Sequence, residues 1–274
     1  MTQCGSALRE LSVDASSMEQ TANRIVHYLH DHLTDRTGEK VCVLTRFFIT
    51  MPYSELDEEN QRHARKLLGG VLDDPQLRCQ TLLATVGVAP EWNDRRKSNY
   101  YKTLPLTPEI LDANPMYVQF AETFGVVLDR SIMPDPALIA ELEQHSYNVF
   151  HVPDARDSDY IPDQEHFVVP YGIRSVLGFF GMLPSSQIFS VVIFTRAIVP
   201  RDIVNYFKTL AFNVKLAILP FDEAAIFDGS VKTSPMLPEK VLVQLRSETG
   251  SLRQMVSVQE QVVVEQSERI ESVM

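Results

Sequence analysis

Three histidines, His145, His151 and His166, stand among the aromatic residues Tyr147, Phe150 and Phe167. Imidazole in an apolar setting is the axial-ligand chemistry of haem. Such a histidine is more often a structural residue at the edge of a core than a ligand. Asp154, Asp157, Asp159, Asp163 and Glu165 form an acidic stretch beside His166. Several oxygens suit a hard cation, but the spacing and central glycine of a calcium loop are missing, so the stretch reads as a solvated acidic loop. Tyr147, His151, His166, Phe167, Tyr171 and Phe179 are candidates to line a mostly apolar small-molecule pocket, with Arg174 as its anion partner. Each fits plain core packing as well, and Arg174 could instead bond a loop carbonyl.

Nucleophilic or acid–base catalysis needs an activated group or a cofactor motif. The sequence contains no Gly-x-Ser-x-Gly, no phosphate-binding Walker loop and no Gly-x-Gly-x-x-Gly, and Ser185-Ser186 falls in a turn without an evident base. The expectation is a non-enzymatic protein with no metal site. Its three cysteines, Cys4, Cys42 and Cys79, are widely spaced, which gives neither a disulfide framework nor a zinc site. His27, His30 and His32 lack the i, i+4 pairing of a helical metal site. A net charge of -11 argues against nucleic acid as a partner, and Arg95-Arg96-Lys97 reads as a solvated loop. No apolar run reaches the roughly 18 residues needed to cross a bilayer, and Met1 to Leu11 is not a secretory signal. The expected setting is the cytoplasm.

The elements that must position these residues follow from periodicity. Met1 to Asp14 reads as a loose lead-in. Ser17-Met18-Glu19-Gln20 has the form of a capping box, and Ala22, Ile25, Val26, Leu29 and Leu33 recur at helical spacing, which predicts a helix over 17–34. Lys40 to Met51 and Leu77 to Val88 predict strands, the second with Leu82, Ala84 and Val86 on one face. Between them Asp57 to Leu68 predicts a helix, acidic first and basic last, stopped by Gly69-Gly70. Pro90 and Trp92 open a polar loop. Short helices are expected at 109–113, 116–124, 137–145 and 164–168, and a strand at 149–152. Arg174 to Met182 and Ile188 to Thr195 predict an antiparallel hairpin. Pro200 then starts a helix with Ile203, Phe207, Leu210, Val214 and Ile218 on one face, ended by Pro220.

The stretch 224–240 has linker composition, with Gly229, Ser230, Ser234, Pro235 and Pro238. Beyond it, Val256, Val263 and Ile270 share one heptad position, while Leu252, Gln259, Gln266 and Val273 share the next. The organisation read from the chain is a lead-in over 1–16, a domain over 17–222, a linker over 223–238 and a C-terminal dimerisation helix over 239–274.

At Gly172-Ile173-Arg174-Ser175-Val176-Leu177 the sequence resembles a GAF domain. Three elements in order carry the resemblance: the Gly-Ile-Arg-Ser entry into a strand, the return strand Ile188 to Phe194, and the proline-led helix Pro200 to Ile218. It is sharp over about 149–219 and topological before that. The return strand has Phe189-Ser190 where the family commonly has glycine. The resemblance implies an α+β fold, a GAF-like central antiparallel β-sheet with helices on both faces plus a C-terminal coiled-coil helix. It implies a ligand pocket under loops and short helices on one face. It also implies terminal helices that form a homodimer and pass a signal to an output domain such as a histidine kinase.

Family ligands can be weighed residue by residue. Asp159-Tyr160-Ile161-Pro162-Asp163-Gln164 resembles the Asp-Ile-Pro-x-Gln segment of bilin-binding relatives, but their attaching cysteine and adjoining histidine have no counterpart. The pattern of cyclic-nucleotide-binding relatives is absent apart from the fragment Phe221-Asp222-Glu223. Haem rests on His145, His151 or His166, and no cofactor is required by the sequence. The reading is a sensory and dimerisation module for an unidentified small molecule or partner. The alternatives are a ligand-free structural dimerisation module and a haem- or bilin-binding sensor.

Overall fold

The computed structural model describes residues 2–70, 74–98, 101–117, 149–204, 206–222 and 225–229. Helices α1 (Thr2–Glu10) and α2 (Met18–His32) precede strand β1 (Cys42–Pro52), helix α3 (Glu58–Leu67) and strand β2 (Arg78–Gly87). A tight turn at Pro90–Asn93 leads to β3 (Thr103–Pro105) and helix α4 (Pro108–Asp112). Next come β4 (Val149–Val152), a π-type turn at Gln164–Val168, the hairpin β5 (Ser175–Met182) and β6 (Ile188–Thr195), and helices α5 (Arg201–Val204) and α6 (Tyr206–Ile218). The six strands form one sheet, in the order β3-β2-β1-β6-β5-β4, with every neighbouring pair antiparallel. The fold is α+β. The expected helices at 137–145 and 239–274 lie outside the described residues.

Alternation along the strands gives the sheet two unlike faces. Phe47, Ile49 and Met51 of β1 join Phe189, Val191 and Ile193 of β6 in one core cluster. Helix α2 covers that face over β1 and β2, α6 covers it over β5, and α1 packs on α6. Leu44 and Phe48 of β1, with Val192 and Phe194 of β6, belong to a second cluster on the opposite face. A register shift between Phe47 and Phe48 makes Leu83 the extra residue of β2. The bulge reverses the alternation. Leu82 therefore faces the second cluster while Ala84 and Val86 face the helices, correcting the single face expected from their spacing.

Helix α2 begins where Ser17 Oγ accepts the Gln20 N–H at 3.1 Å. The reciprocal arm differs from the expected box, because Gln20 Oε1 accepts the N–H of Ser16 at 3.0 Å. Ala22, Ile25, Val26 and Leu29 are fully buried, and each such aliphatic side chain larger than alanine contributes roughly 1.5–3 kcal/mol. Asp57 caps α3 through the Asn60 N–H at 2.8 Å, and Gly69 and Gly70 end that helix at φ +74° and +105°.

The lead-in is ordered, contrary to expectation. Residues Thr2–Glu10 form α1, Leu8 is fully buried, and Arg9 Nη1 donates to Asn213 Oδ1 of α6. Cys4, Leu8 and Leu11 sit at i, i+4 and i+7, a signal obscured by Gly5 and Ser6.

The segment 225–229 is also part of the packed domain. Ile226 and Phe227 lie in the helix-side core. The carbonyls of Ala225 and Ile226 each accept a first-turn N–H of α2, from Met18 and Glu19, at 2.9 Å. Those donors would otherwise lack partners at a helix start.

Arg95, expected in a solvated loop, is buried. Its Nε donates to Glu19 Oε1 at 2.6 Å and its Nη2 to Glu19 Oε2 at 3.2 Å, while Nη1 lies 3.6 Å from Asp57. Its guanidinium sits 5.0 Å from the centre of the Phe227 ring. Glu19 Oε2 also accepts the Asp228 N–H at 2.9 Å. Removing one partner of such a pair strands a buried charge. Arg95→Met is expected to lose about 3–5 kcal/mol in urea unfolding, and Arg95→Met with Glu19→Leu to regain most of it. A single substitution costing under about 1 kcal/mol would show the pair to be incidental.

Candidate functional site

The face away from α2 and α6 carries a cavity of about 660 Å³. Its sheet side is built by alternate residues: Arg46, Phe48 and Thr50 of β1, Ser190, Val192 and Phe194 of β6, with Gln80, Phe150 and Phe180 from β2, β4 and β5. Its outer wall comes from the Pro90–Asn93 turn, the region around α4, and the segment from Ile161 to Tyr171. Three aromatic rings close part of that wall. Trp92 lies 4.5 Å from Tyr171 and 5.5 Å from Phe167, centre to centre, and Phe167 meets Phe194 edge-on at 5.0 Å. Edge-to-face and tilted packing at these distances is the favourable geometry for aromatic pairs.

The outer wall is held by polar bonds from Gln164, behind it, and from Asp163, on its rim. Gln164 Nε2 donates to the carbonyls of Ala155 and Ile161, both at 2.9 Å, and its Oε1 accepts the Asp157 N–H at 3.1 Å. Asp163 precedes it in the left-handed region at φ +60°, which aspartate tolerates better than most residues. Its carboxylate accepts the His166 N–H at 3.3 Å and lies 2.9 Å from His166 Nδ1.

Polar groups inside the cavity are few. Gln80 Nε2 donates to Ser190 Oγ at 3.0 Å, and Thr50 Oγ1 accepts the Ile188 N–H at 2.8 Å. Arg46 is 9% exposed and donates from Nη2 to Ser98 Oγ at 3.3 Å. Burial pushes its pKa down to about 10, against the nearby Tyr101 phenol, which favours the charged form. The Tyr117 hydroxyl is buried on the cavity wall with no hydrogen-bond partner among the described residues. Burial drives that phenol well above its ordinary pKa.

The candidate residues divide. His166, Phe167 and Tyr171 line the cavity. Phe179 borders it only along β5: its ring belongs to the helix-side core and lies 6.4 Å from Phe207 of α6. Strand alternation points the ring of Phe180 toward the cavity side instead. His151 and Arg174 are not among the lining residues. Arg174 Nη2 reaches Asp154 Oδ2 at 3.2 Å, and its carbonyl accepts the Ala155 N–H at 2.7 Å. Tyr147 and His145 lie outside the described residues.

Neither described histidine has the setting of a haem ligand, because His166 is 81% exposed at the rim and His151 lies off the cavity. Cys4, Cys42 and Cys79 all belong to the helix-side layer, on the far face of the sheet from the cavity. Among the described residues no group of three His, Cys, Asp or Glu could hold a metal ion. The Ser185 hydroxyl donates to Asp222 and its N–H reaches the same carboxylate at 2.9 Å, which ties the β5–β6 turn to the end of α6. No described helix is long and apolar enough to cross a membrane.

No family model and no curated protein matches the chain. Among solved structures, the GAF domain of a phosphoenolpyruvate-protein phosphotransferase from Acinetobacter is similar. It is 12% identical and covers 79% of this chain and 90% of that one, with a TM-score of 0.39. The fold is GAF-like in its own arrangement: an antiparallel sheet, terminal helices on one face, and a cavity beneath short helices and loops on the other.

Burial lowers the pKa of His151 from its ordinary 6.5, and Arg201 lowers it further against a bond to the Val199 backbone that raises it. His30 and His63 are lowered too, with burial as the first cause. A depressed histidine pKa means that the folded state favours the neutral ring, so the stability it supports is present above pH 6.5 and is lost as pH falls through the folded value. His151→Leu is therefore expected to lose less Tm than the parent between pH 7 and pH 5. Parallel curves for the two proteins would remove His151 from the acid response.

Proposed function

We propose that the chain is a GAF-type sensory domain that takes a small organic molecule into the cavity behind Trp92, Phe167 and Tyr171. The single observation that carries this reading is the cavity itself: 660 Å³, walled mainly by aromatic and aliphatic side chains, with a few convergent polar groups. Ligand sites are typically of this size and character. Occupancy is relayed through the sequence beyond residue 229 to an output domain such as a histidine kinase, within a homodimer formed by the terminal helices. The domain itself performs no catalysis.

The contacts of the loop 90–98 support this reading. Trp92 stands on the cavity wall and Ser98 is bonded to cavity residue Arg46. Between them Arg95 grips Glu19 and covers Phe227 in the departing segment. A ligand with different affinity for two positions of this loop would shift the population of the departing chain.

Trp92 is the only tryptophan, so its emission reports on the cavity directly. A fluorescence and thermal-shift screen of organic acids, aromatic compounds, haem and cyclic nucleotides is expected to find a compound that moves both signals. Ser190→Phe, which places a ring in the cavity, should erase the response while leaving the circular dichroism intact. Silence across the whole screen would sink the sensory reading and favour a structural module. Removal of residues 251–274 is expected to convert dimer to monomer in sedimentation, and a dimer that survives it would place the interface elsewhere.

A further inference from the structure

We infer that the cavity's ligand is an organic monoanion, an aromatic or aliphatic carboxylate whose head group meets Arg46. The inference rests on the sensory reading above and narrows it to a chemical class. Arg46 is the only lysine or arginine among the described cavity-lining residues. It emerges from the middle of β1, flanked on the same face by Phe48, and is 9% exposed. A guanidinium in this position has lost most of its water and keeps its charge, so an incoming anion gains more here than at the surface. The planar fork matches a carboxylate, and hydrogen bonds between ionised partners are roughly twice as strong as neutral ones.

A second observation points the same way. The Tyr117 hydroxyl is buried on the same cavity wall without a partner among the described residues. Burial and Tyr101 together keep it in the neutral, donating form. A buried donor lacking an acceptor is destabilising, and a ligand oxygen would satisfy it. The Tyr101 phenol on this wall is likewise kept neutral by burial, against Arg46, with Asp163 adding to the effect. Neutral phenols on this wall add no negative charge that would oppose an anionic head group at Arg46.

The remaining charged groups among the described residues of the wall lie at its rim. Glu91 is exposed, Asp163 is 45% exposed and His166 is 81% exposed, where water and salt screen them. A phosphate ester fits less well. It carries about −1.5 to −2 charge at neutral pH, and one guanidinium balances only part of that. Apart from Thr50, Gln80, Asn114 and Ser190, the rest of the described cavity wall is mainly aromatic or aliphatic, which suits an apolar body. Arg46 also bonds Ser98 in the loop that carries Trp92, so a carboxylate that draws on Arg46 competes with a bond between β1 and that loop.

The test is calorimetry of the full chain with 4-phenylbutyrate and naphthalene-2-acetate, each against its primary amide and its phosphate-headed analogue. Trp92 emission is read in the phenylbutyrate series. The carboxylates should bind at least about tenfold more tightly than the amides, and more tightly than the phosphates. Arg46→Met should bring acid and amide to within about twofold of each other, while Arg46→Lys, which keeps the charge without the fork, should fall between. If Arg46→Met fails to fold, the lysine variant and the acid-to-amide ratio still decide the matter. Equal binding of acid and amide by the parent, or tighter binding of the phosphate, would overturn the monoanion class and leave the sensory reading intact. No binding by any of the six compounds overturns the class as well. The sensory reading falls only if the broader screen is also silent.

Discussion

The ion pair between Glu19 and Arg95 is the junction on which the rest of this domain depends. Glu19 sits in the first turn of α2, where a carboxylate also meets the positive end of the helix. Arg95 comes from a loop more than seventy positions later in the chain, and Asp228 adds its N–H from the end of the described region. Four separate pieces meet there: α2, the cap of α3 at Asp57, the 90–98 loop and the departing segment. Buried charge tolerates little displacement, because separating the partners without water leaves both desolvated. The junction therefore makes the positions of these pieces interdependent, more so than apolar packing alone would do.

The sheet carries the second constraint. Along β5, β6 and the middle of β1 residues alternate between the faces, so every large ring assigned to the helix layer implies a different residue on the cavity layer. Phe47 stacks near Phe189 at 6.0 Å on the helix side, while their neighbours Arg46, Phe48 and Ser190 form the cavity side. The Leu83 bulge is what lets β2 contribute Gln80 and Leu82 to one face and still bury Ala84 and Val86 against α2. Without it the second half of the strand would turn Thr85 toward the helices.

Much of this was legible in the sequence, and the parts that were not have definite causes. Periodicity and turn chemistry located α2, α3, all the strands but β3, and the β5–β6 hairpin to within a few residues. The three-residue strand β3 is too short to show a period, and α1 hid behind Gly5 and Ser6. The site was half legible. His166, Phe167 and Tyr171 were found because they cluster in sequence beside the Gly-Ile-Arg-Ser entry, and they line the cavity. Phe179 was one residue out of phase with Phe180, an ambiguity that an all-apolar strand cannot resolve by itself. Arg46 and Trp92 come from regions remote from that cluster and are brought there only by the sheet order. The available signal for Arg46 was a charge in the middle of an otherwise apolar strand. Arg95 looked like its solvated neighbours because its partners, Glu19 and Phe227, are far away in sequence.

The size of the cavity follows from which side chains the sheet places beneath it. On the helix face, facing positions of β5 and β6 carry Phe179 and Val191, which fill the layer under α6. On the opposite face the corresponding pair is Gly178 and Val192, with Ser190 and Thr50 further along. Gly178 is required by its neighbour, since a Cβ there would lie 1.7 Å from Cε1 of Phe150. With glycine, the Phe150 ring packs closely over Gly178 of β5 and lines the cavity. A larger residue would force that ring to move. The domain thus keeps room on one face by using small residues at the centre of the sheet and large rings around it. That arrangement gives up packing contacts that a core filled on both faces would make.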